Sequence, residues 1–387
     1  MKITNIEATV INAKMRNWII VKVYTNVPGL IGLGEATLEF QTKPVVEAVY
    51  NLGNLLIGRD PRDIERNWQI MYRHLFFKNG IVTLSAISGI DQALWDISAK
   101  DLNVPLWKIM GGLARDRVRM YDHLGGGDSS IVYGNNNQSL FEENVSKSIE
   151  NGFTAFKILA VPKTEMAGEY SAYEWTQRIM SCARDIAGPS VDIMVDFHGR
   201  TNLITARKYA EILKPFNPLF IEEIVQPENI ESLKTIRQNT DIPIAAGERL
   251  ISRSEFLPLL QSGLIDVAQP DVCHAGGITE IRKISSLCET FGVLMAPHNP
   301  LGPIATMVNI HLGITTPNFL IQEVMRNDVP WRSDIFQGIL EIEDGFVSPP
   351  TSPGIGISIN DELAALFPFQ ESQPTQWFNH DGSVSDW

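Results

Sequence analysis

The sequence has few cysteines, no long apolar run and a shortage of positive charge, and each scarcity excludes a class of protein. Its three cysteines, Cys182, Cys273 and Cys288, lack the paired spacing of a disulfide framework or a zinc knuckle. No apolar run is long enough for a membrane span. The amino-terminal stretch MKITNIEATVINA has neither the basic start nor the long apolar middle of a signal peptide. We therefore expect a cytoplasmic protein without membrane association.

Acidic residues outnumber basic ones, 45 against 32, so the formal net charge is −13. A chain with this charge is a poor partner for nucleic acid. An anionic small substrate is still compatible with it, because a bound divalent cation reverses the sign of the local charge. With 44% hydrophobic and 20% charged residues over 387 positions, the chain can bury a large core in one big and one smaller domain.

The first part of the chain, residues 1–116, is predicted to be a small α+β domain. The segments ITNIEATVINA and WIIVKVYTN alternate apolar and polar residues, and a turn at NVPG leads into LIGLGEA, which together predict an antiparallel meander. Three segments with apolar residues three and four apart follow, and each predicts a helix with one buried face. They are KPVVEAVYNLGNLLIG, PRDIERNWQIMYRHLF and VTLSAISGIDQALWDISAKDL.

Residues 117–330 repeat a strand followed by a helix, which is typical of βα units in a parallel sheet and predicts an α/β fold. Short apolar runs bounded by glycine, proline or asparagine alternate with amphipathic segments such as ITARKYAEILK. The predicted strands are VRMYDHL, FTAFKILA, VDIMVDFHG, PLFIEEIV, IPIAAGER, IDVAQPD, VLMAPHN and FLIQE. The polar loop at 125–139 should lie on the surface or over the site. Residues 331–387 are predicted to form turns, short strands and a docked tail.

Three acidic residues end successive predicted strands at an interval of 26 residues: Asp196, Glu222 and Glu248. In a parallel barrel the carboxyl ends of the strands converge on one mouth, so this spacing directs the three carboxylates to one place. Carboxylates held together in a partly dry site repel each other unless a cation is present. A hard dication with oxygen ligands, Mg²⁺ first, is the predicted occupant.

The same spacing continues along the chain through Asp271, His298 and Glu323, which follow at intervals of 23, 27 and 25 residues. An aspartate and a histidine on neighbouring strand ends can form a hydrogen-bonded pair, in which the carboxylate orients the imidazole and raises its basicity. The array therefore predicts a metal site together with a base.

Several longer motifs carry a resemblance to a known family. They are SAISGIDQALWDISAK, LWKIMGG, DFHGR, FIEE, GERL, QPDVCHAGGITE, PHNPLGPIA, IQE and the terminal HDGSVSDW. On these motifs the sequence resembles the enolase superfamily of the mandelate racemase type, and within it the D-galactonate dehydratases. The resemblance implies a modified TIM barrel, (β/α)₇β, over residues 117–330. It also implies an α+β capping domain formed by residues 1–116 and completed by the carboxy-terminal segment 331–387.

The resemblance also implies roles for the residues at the strand ends. Asp196, Glu222 and Glu248 would be the ligands of Mg²⁺, which is the implied cofactor. His298 would be the base that removes the proton at C2 of the substrate, with Asp271 as its partner. Members of the enolase superfamily use a lysine or histidine base together with one or two Mg²⁺ ions.

Three further residues would act on the substrate. His198 would be the acid that protonates the departing hydroxyl, and strand alternation would place it on the same side as Asp196. Lys157 would bind the substrate carboxylate or the enediolate, and a protonated Glu323 would help to stabilise the intermediate. The implied reaction is that of a carbon–oxygen lyase. An aldonate similar to D-galactonate would lose water through proton abstraction at C2 and an enediolate, giving a 2-keto-3-deoxy acid.

The second predicted strand departs from one branch of the superfamily. Racemases and cycloisomerases of this type often carry a Lys-x-Lys pair there, whereas Lys157 is followed by Ile158 and Leu159. A second lysine base is therefore missing, which disfavours a two-base racemase. Two alternatives to the dehydratase stay open: an epimerase or cycloisomerase acting on a related acid, and a protein that binds or senses a sugar acid without turnover. The resemblance further suggests a symmetric homo-oligomer.

No spacing argument determines which sugar acid is accepted. Positional candidates for contacts with substrate hydroxyls come from the capping domain: Lys14, Arg16, Asn17, Trp18 and the segment 38–42. Four histidines receive no role: His74, His123, His311 and His380. His274, beside Cys273, is interpreted as structural or peripheral, because a soft metal site there would lack further ligands.

Overall fold

The computed structural model of the chain describes residues 1–74, 76–78, 80–124, 137–325, 328–374 and 376–386. Most of the polar loop predicted at 125–139 lies outside these residues, as does Trp387 of the predicted tail. None of the helices in the described ranges is long and apolar enough to cross a membrane.

The amino-terminal part is an antiparallel meander backed by helices. Its strands are β1 (Ile3–Ala13), β2 (Arg16–Thr25) and β3 (Ile31–Glu35), with β2 in the centre. Its helices are α1 (Thr42–Gly53), α2 (Ile64–Arg73), α3 (Ile81–Asp101) and the short α4 (Leu106–Ile109). Helix α3 packs so closely on β3 that a Cβ at Gly34 would collide with the carbonyl oxygen of Gly89, so only glycine fits there.

Eight parallel strands follow and close into a barrel. They are β4 (Val118–His123), β5 (Ala155–Ile158), β6 (Asp192–Asp196), β7 (Phe220–Glu222), β8 (Ile244–Ala246), β9 (Val267–Ala268), β10 (Leu294–Met295) and β11 (Gln322–Val324). Strands that follow one another from β4 to β10 pair side by side, and β11 pairs with β4. A single β-bridge between Met295 of β10 and Phe319, just before β11, closes the barrel. The predicted strands are all present, although most are shorter than the apolar runs.

A helix follows each of the first seven barrel strands, so the predicted (β/α)₇β order is confirmed. These helices are α5 (Gln138–Glu150), α6 (Tyr170–Ala187), α7 (Leu203–Leu213), α8 (Ile230–Arg237), α9 (Arg253–Gln261), α10 (Gly277–Thr290) and α11 (Pro303–Thr315). Inward-facing apolar residues such as Phe220 and Ile321 fill the barrel interior, and the helices bury a larger core around it. The interior is therefore packed, and only the strand ends are available for chemistry.

The segment after the barrel returns to the amino-terminal sheet. It contains two short helices and five short strands in its described part: α12 (Arg332–Ile335), β12 (Phe336–Gln337), β13 (Phe346–Val347), β14 (Ser358–Ile359), α13 (Asp361–Ala364), β15 (Trp377–Phe378) and β16 (Val384–Ser385). Asn12 N donates to Phe367 O at 2.8 Å, and Asn17 Nδ2 donates to Gln370 O at 2.8 Å. These bonds join part of the segment to the amino-terminal sheet, whereas β13 pairs antiparallel with the barrel strand β4. The domain boundaries at 116 and 330, and the completion of the capping domain by residues 331–387, stay predictions.

Two carboxylates of the amino-terminal domain bind the first turns of barrel helices. Asp91 on α3 accepts from Thr279 N (2.9 Å) and from Thr279 Oγ1 (2.6 Å) in α10. Glu35, at the end of β3, accepts from Gly302 N (2.7 Å) and Ala305 N (2.9 Å) at the start of α11. Because a helix start presents unpaired N–H groups and a partial positive charge, these bonds hold the amino-terminal domain over the barrel.

Candidate active site

The three predicted metal ligands lie together at the mouth of the barrel. Asp196 and Glu222 are the last residues of β6 and β7 and are register partners, and Glu248 lies two residues beyond β8. One carboxylate oxygen from each lies within 4.8 Å of the others. Asp196 and Glu222 are buried, and Glu248 is partly exposed. The predicted convergence of the three carboxylates is therefore confirmed.

The electrostatics of this trio fit a cation. Burial and the nearby charge of Asp196 raise the pKa of Glu222 well above its ordinary value. Burial also raises the pKa of Glu248 to about 7, although His298 lowers it. Crowded carboxylates that resist ionisation need compensating positive charge, and a donor set of three carboxylates suits a hard dication such as Mg²⁺.

Lys157 supplies part of the compensating charge from the neighbouring strand β5. Its ammonium lies 2.9 and 3.0 Å from the two carboxylate oxygens of Glu222, 2.9 Å from Glu323 Oε1 and 3.5 Å from Asp196 Oδ2. Burial alone would lower the pKa of Lys157, but Glu222 and Glu323 raise it well above its ordinary value. Lys157 is therefore charged, and it pairs with an acidic cluster made up of Asp196, Glu222 and Glu323.

His298 and Asp271 form the predicted pair. His298 Nδ1 lies 2.7 Å from Asp271 Oδ2, and its other ring nitrogen, Nε2, lies 3.2 Å from Glu248 Oε2. Burial disfavours the imidazolium, but Glu248 and Asp271 outweigh it and raise the pKa of His298 to about 10. Asp271 is itself held by Cys273 N, which donates to Oδ1 at 2.7 Å. The pair thus directs Nε2 towards the acidic trio.

His198 lies beside the trio, as predicted, but for a different reason. Strand β6 already ends at Asp196, so alternation does not extend to His198, which adopts a left-handed backbone conformation with φ of 51°. Its N–H donates to Asp196 Oδ1 at 2.9 Å, and its Nε2 lies 3.2 Å from Asp196 Oδ2. Burial lowers the pKa of His198, although Asp196 raises it. A sharp turn, rather than strand periodicity, therefore places this imidazole.

Glu323 on β11 completes the floor of the site. Its Oε1 lies 2.9 Å from Lys157 Nζ and 3.1 Å from His123 Nδ1, and its Oε2 accepts from Asn299 N at 2.7 Å. Burial alone would raise the pKa of Glu323, but Lys157 and His123 lower it below its ordinary range. The surroundings therefore favour the ionised carboxylate, whereas the sequence interpretation had a protonated one.

One cavity of about 300 Å³ lies between the barrel and the amino-terminal domain, and of these groups it is lined by Lys157, Asp196, His198, Glu248 and His298. From the amino-terminal domain it is lined by Met15, Arg16, Leu38, Glu39, Phe40 and Ile81. Arg16 and the first part of the segment 38–42 thus lie where they were predicted. The other positional candidates are placed elsewhere: Lys14 is exposed, Asn17 bonds to Gln370 O, and Trp18 is buried in the core.

Sequence reasoning missed three polar or charged residues of the lining: His123, Arg249 and His274. His123 ends β4, so the strand-end rule applied to VRMYDHL would have found it. Arg249 adjoins Glu248, and its Nε donates to Glu223 Oε2 at 2.5 Å. His274, which the sequence analysis interpreted as structural or peripheral, lies in the cavity wall with Nε2 3.7 Å from Asp271 Oδ2.

Comparison with known proteins places these observations in a family. Residues 3–111 match the family described as mandelate racemase / muconate lactonizing enzyme, N-terminal domain. Residues 141–363 match the family described as enolase C-terminal domain-like, which covers more than half of the chain. The chain belongs to the enolase superfamily. Within it, the chain falls in the mandelate racemase/muconate lactonizing enzyme subgroup.

Solved structures of other enolase-superfamily members are similar over the whole chain. An enolase from Pantoea ananatis with bound D-gluconate and Mg is 32% identical, covers 99% of each chain and has a TM-score of 0.88. A candidate galactarate dehydratase from Agrobacterium radiobacter with bound Na and L-malate is 31% identical, covers 100% of each chain and has a TM-score of 0.89. A candidate dehydratase from Zymomonas mobilis is 31% identical over 94% of this chain and 97% of its own, with a TM-score of 0.87.

Proposed function

We propose that this enolase-superfamily member is a Mg²⁺-dependent dehydratase that converts an aldonate similar to D-galactonate to a 2-keto-3-deoxy acid. The observation that carries the proposal is the convergence of three carboxylates and the His298–Asp271 pair at the barrel mouth, where Asp196, Glu248, His298 and His198 line one cavity. Sugar-acid and dehydratase names among the similar structures support the substrate class and the reaction.

Asp196, Glu222 and Glu248 would hold the Mg²⁺ ion. Removing a proton beside a carboxylate puts a second negative charge on the group, and the ion supplies positive charge at the oxygens where that charge develops. Lys157 adds a buried ammonium that is bonded to Glu222. The binding of Mg to the similar protein from Pantoea ananatis supports this metal.

His298 would take the C2 proton on Nε2. Its Nδ1 is engaged by Asp271 at 2.7 Å, which orients the ring and stabilises the imidazolium that forms. His198, on the neighbouring part of the mouth, would give a proton to the C3 hydroxyl as that group leaves. Each of these proton transfers contributes about 10²- to 10⁴-fold to the rate in enzymes of known mechanism. Glu323 would hold Lys157 and the backbone after His298 in position.

The test is a panel of aldonates incubated with the protein and Mg²⁺, followed by an assay for 2-keto-3-deoxy acids. We expect turnover of at least one aldonate, loss of turnover with EDTA, and loss of turnover in His298→Asn. His380→Asn is the matched control, because this imidazole is 80% exposed and is not in the described lining of the cavity. Turnover that survives both EDTA and His298→Asn would contradict the proposal.

The same panel, run in D₂O, separates the alternatives. Deuterium exchange at C2 without loss of water would indicate an epimerase or cycloisomerase. Tight binding of a sugar acid without exchange or turnover would indicate a binding or sensing protein. The homo-oligomeric state and the cytoplasmic location stay predictions, and light scattering on the purified protein tests the former.

A further inference from the structure

The cavity has two ends with different chemistry. The barrel end carries Asp196 and Glu248 of the acidic trio and the two histidines, His198 and His298, that would act on C2 and C3 of the substrate. The facing wall comes from the amino-terminal domain, and Arg16 and Glu39 are its charged members. Because a sugar acid is linear, the carbons beyond C3 extend from the barrel end towards this wall.

Arg16 has unused hydrogen-bonding capacity at this wall. The side chain is only 3% exposed, and Nη2 contacts Glu39 Oε1 at 3.0 Å and Met15 Sδ at 3.3 Å. Its Nε and Nη1 are buried and have no hydrogen-bond partner among the described residues. Leaving a buried donor unpaired costs about 1–3 kcal/mol, so such groups in a cavity wall are expected to serve a ligand.

Glu39 gives the same wall an acceptor and a negative charge. Its side chain is 24% exposed, so it is accessible to a ligand while it holds Arg16. A hydroxyl group both donates and accepts, and it can therefore bond to the guanidinium and to the carboxylate together. A second carboxylate on the ligand could only accept, and it would lie beside the negative charge of Glu39.

The other cations of the described cavity wall are already engaged. Arg249 donates from Nε to Glu223 Oε2 at 2.5 Å and from Nη1 to Gln226 Oε1 at 2.6 Å. Lys157 is bound to the acidic cluster at the barrel end. In the part of the wall that the structure describes, each arginine or lysine thus has an acidic partner, and none is left to compensate the charge of a second carboxylate beside Glu39.

We infer that Arg16 and Glu39 together bind the distal hydroxyls of the substrate, so that the enzyme selects a monocarboxylate sugar acid over the dicarboxylate of the same configuration. This inference rests on the proposed function and names the residues that set its substrate class. Both classes of acid occur among the similar structures, since one carries D-gluconate and another is named for galactarate.

The experiment measures kcat/KM for an aldonate and for the aldarate that differs from it only by oxidation at C6, using the aldonate that the panel identifies. We expect the wild-type protein to favour the aldonate by about tenfold or more, because like charges placed together in a binding site are strongly disfavoured. Glu39→Gln keeps the size and removes the charge, so it should shift the ratio towards the aldarate by about tenfold. Arg16→Met should raise KM for the aldonate more than it lowers kcat.

Asp361→Asn is the matched control. Asp361 pairs with Lys22, which lies on the same strand as Arg16, and neither Asp361 nor Lys22 is in the described lining of the cavity. This substitution should leave the ratio unchanged. A wild-type preference for the aldarate, or a ratio that Glu39→Gln leaves unchanged, overturns the inference even if dehydration occurs. If neither acid is dehydrated, the proposed function fails. The inference about Arg16 and Glu39 is then tested by calorimetry, which gives the ratio of the affinities for the aldonate and the aldarate in the presence of Mg²⁺.

Discussion

Removal of the Glu35 carboxylate is the perturbation that tests how the amino-terminal domain is joined to the barrel. Glu35 is fully buried at the end of β3 and accepts from Gly302 N at 2.7 Å, Ala305 N at 2.9 Å and Thr37 Oγ1 at 2.7 Å. Gly302 and Ala305 start helix α11, which follows the segment carrying His298. Glu35→Ala therefore leaves two buried N–H groups at a helix start without an acceptor.

The expected loss in the free energy of unfolding follows from those two N–H groups. Each unpaired buried N–H costs about 1–3 kcal/mol, and loss of a negative charge at a helix start adds roughly 0.3–2 kcal/mol. Part of this is offset, because burial of the charge is itself unfavourable and raises the pKa of Glu35. We expect Glu35→Ala to lower the free energy of unfolding by about 3 kcal/mol. Glu35→Gln, which keeps one acceptor oxygen, should cost roughly half as much.

The assay combines urea unfolding with hydrogen exchange of the individual amides. In Glu35→Ala, the amides of Gly302 and Ala305 should exchange faster than in the wild type, whether or not the whole chain unfolds in one step. Glu47→Ala is the control, because Glu47 is exposed on α1, and surface substitutions stay within about 0.5 kcal/mol. A Glu35→Ala protein as stable as this control, with unchanged protection at both amides, would refute the reasoning.

A second substitution reaches the same carboxylate from the barrel side. A Cβ at Gly302 would lie 2.5 Å from Glu35 Oε1 and 2.6 Å from Oε2, so Gly302→Ala must displace the carboxylate. Its effect on unfolding should overlap with that of Glu35→Ala, so the double variant should be less destabilised than the sum of the two single variants. Strict additivity would mean that the two residues do not act on one contact.

Three further predictions concern pH, the base and the metal. Burial lowers the pKa of His311 from 6.5 to about 4, so the unfolded chain binds more protons between these values. Stability should therefore fall by up to about 3 kcal/mol as the pH drops from 6.5 to 4, and urea unfolding of His311→Gln should show a weaker dependence. Asp271→Asn should keep the fold, by circular dichroism, and lower kcat by about 10²- to 10⁴-fold, because His298 loses the carboxylate that stabilises its imidazolium; an unchanged kcat would count against the pair. Mg²⁺ at 100 times its Kd should stabilise the protein by about 2.7 kcal/mol in thermal melts, and Glu248→Gln should abolish most of this shift; an equal shift in both proteins would contradict the assignment of this ligand.

Much of the site could be predicted because barrel geometry converts sequence spacing into distance. Asp196, Glu222 and Glu248 lie one βα unit apart, and consecutive strand ends in a closed parallel barrel are neighbours in space. The same rule brought Asp271 and His298 within 2.7 Å of each other. It would also have identified the histidine that ends β4.

Other features depend on turns and docking that no local pattern encodes. His198 faces the trio through a left-handed turn after β6, and Lys157 bonds to acids from three other strands. Among the predicted capping residues, Arg16 lines the cavity and Lys14 does not. The packing of the two domains decides which of these neighbouring side chains faces the cavity.

By itself the sequence determined the alternation of strands and helices and an acidic trio that is followed, at similar spacing, by an aspartate and a histidine. These follow from periodicity and spacing, which are local properties of the chain. Only the tertiary structure decided which groups neutralise one another and which wall faces the ligand. Glu35 meets Gly302 across 267 residues, and a contact of that separation exists only after the domains have packed, so side-chain type alone could not reveal it.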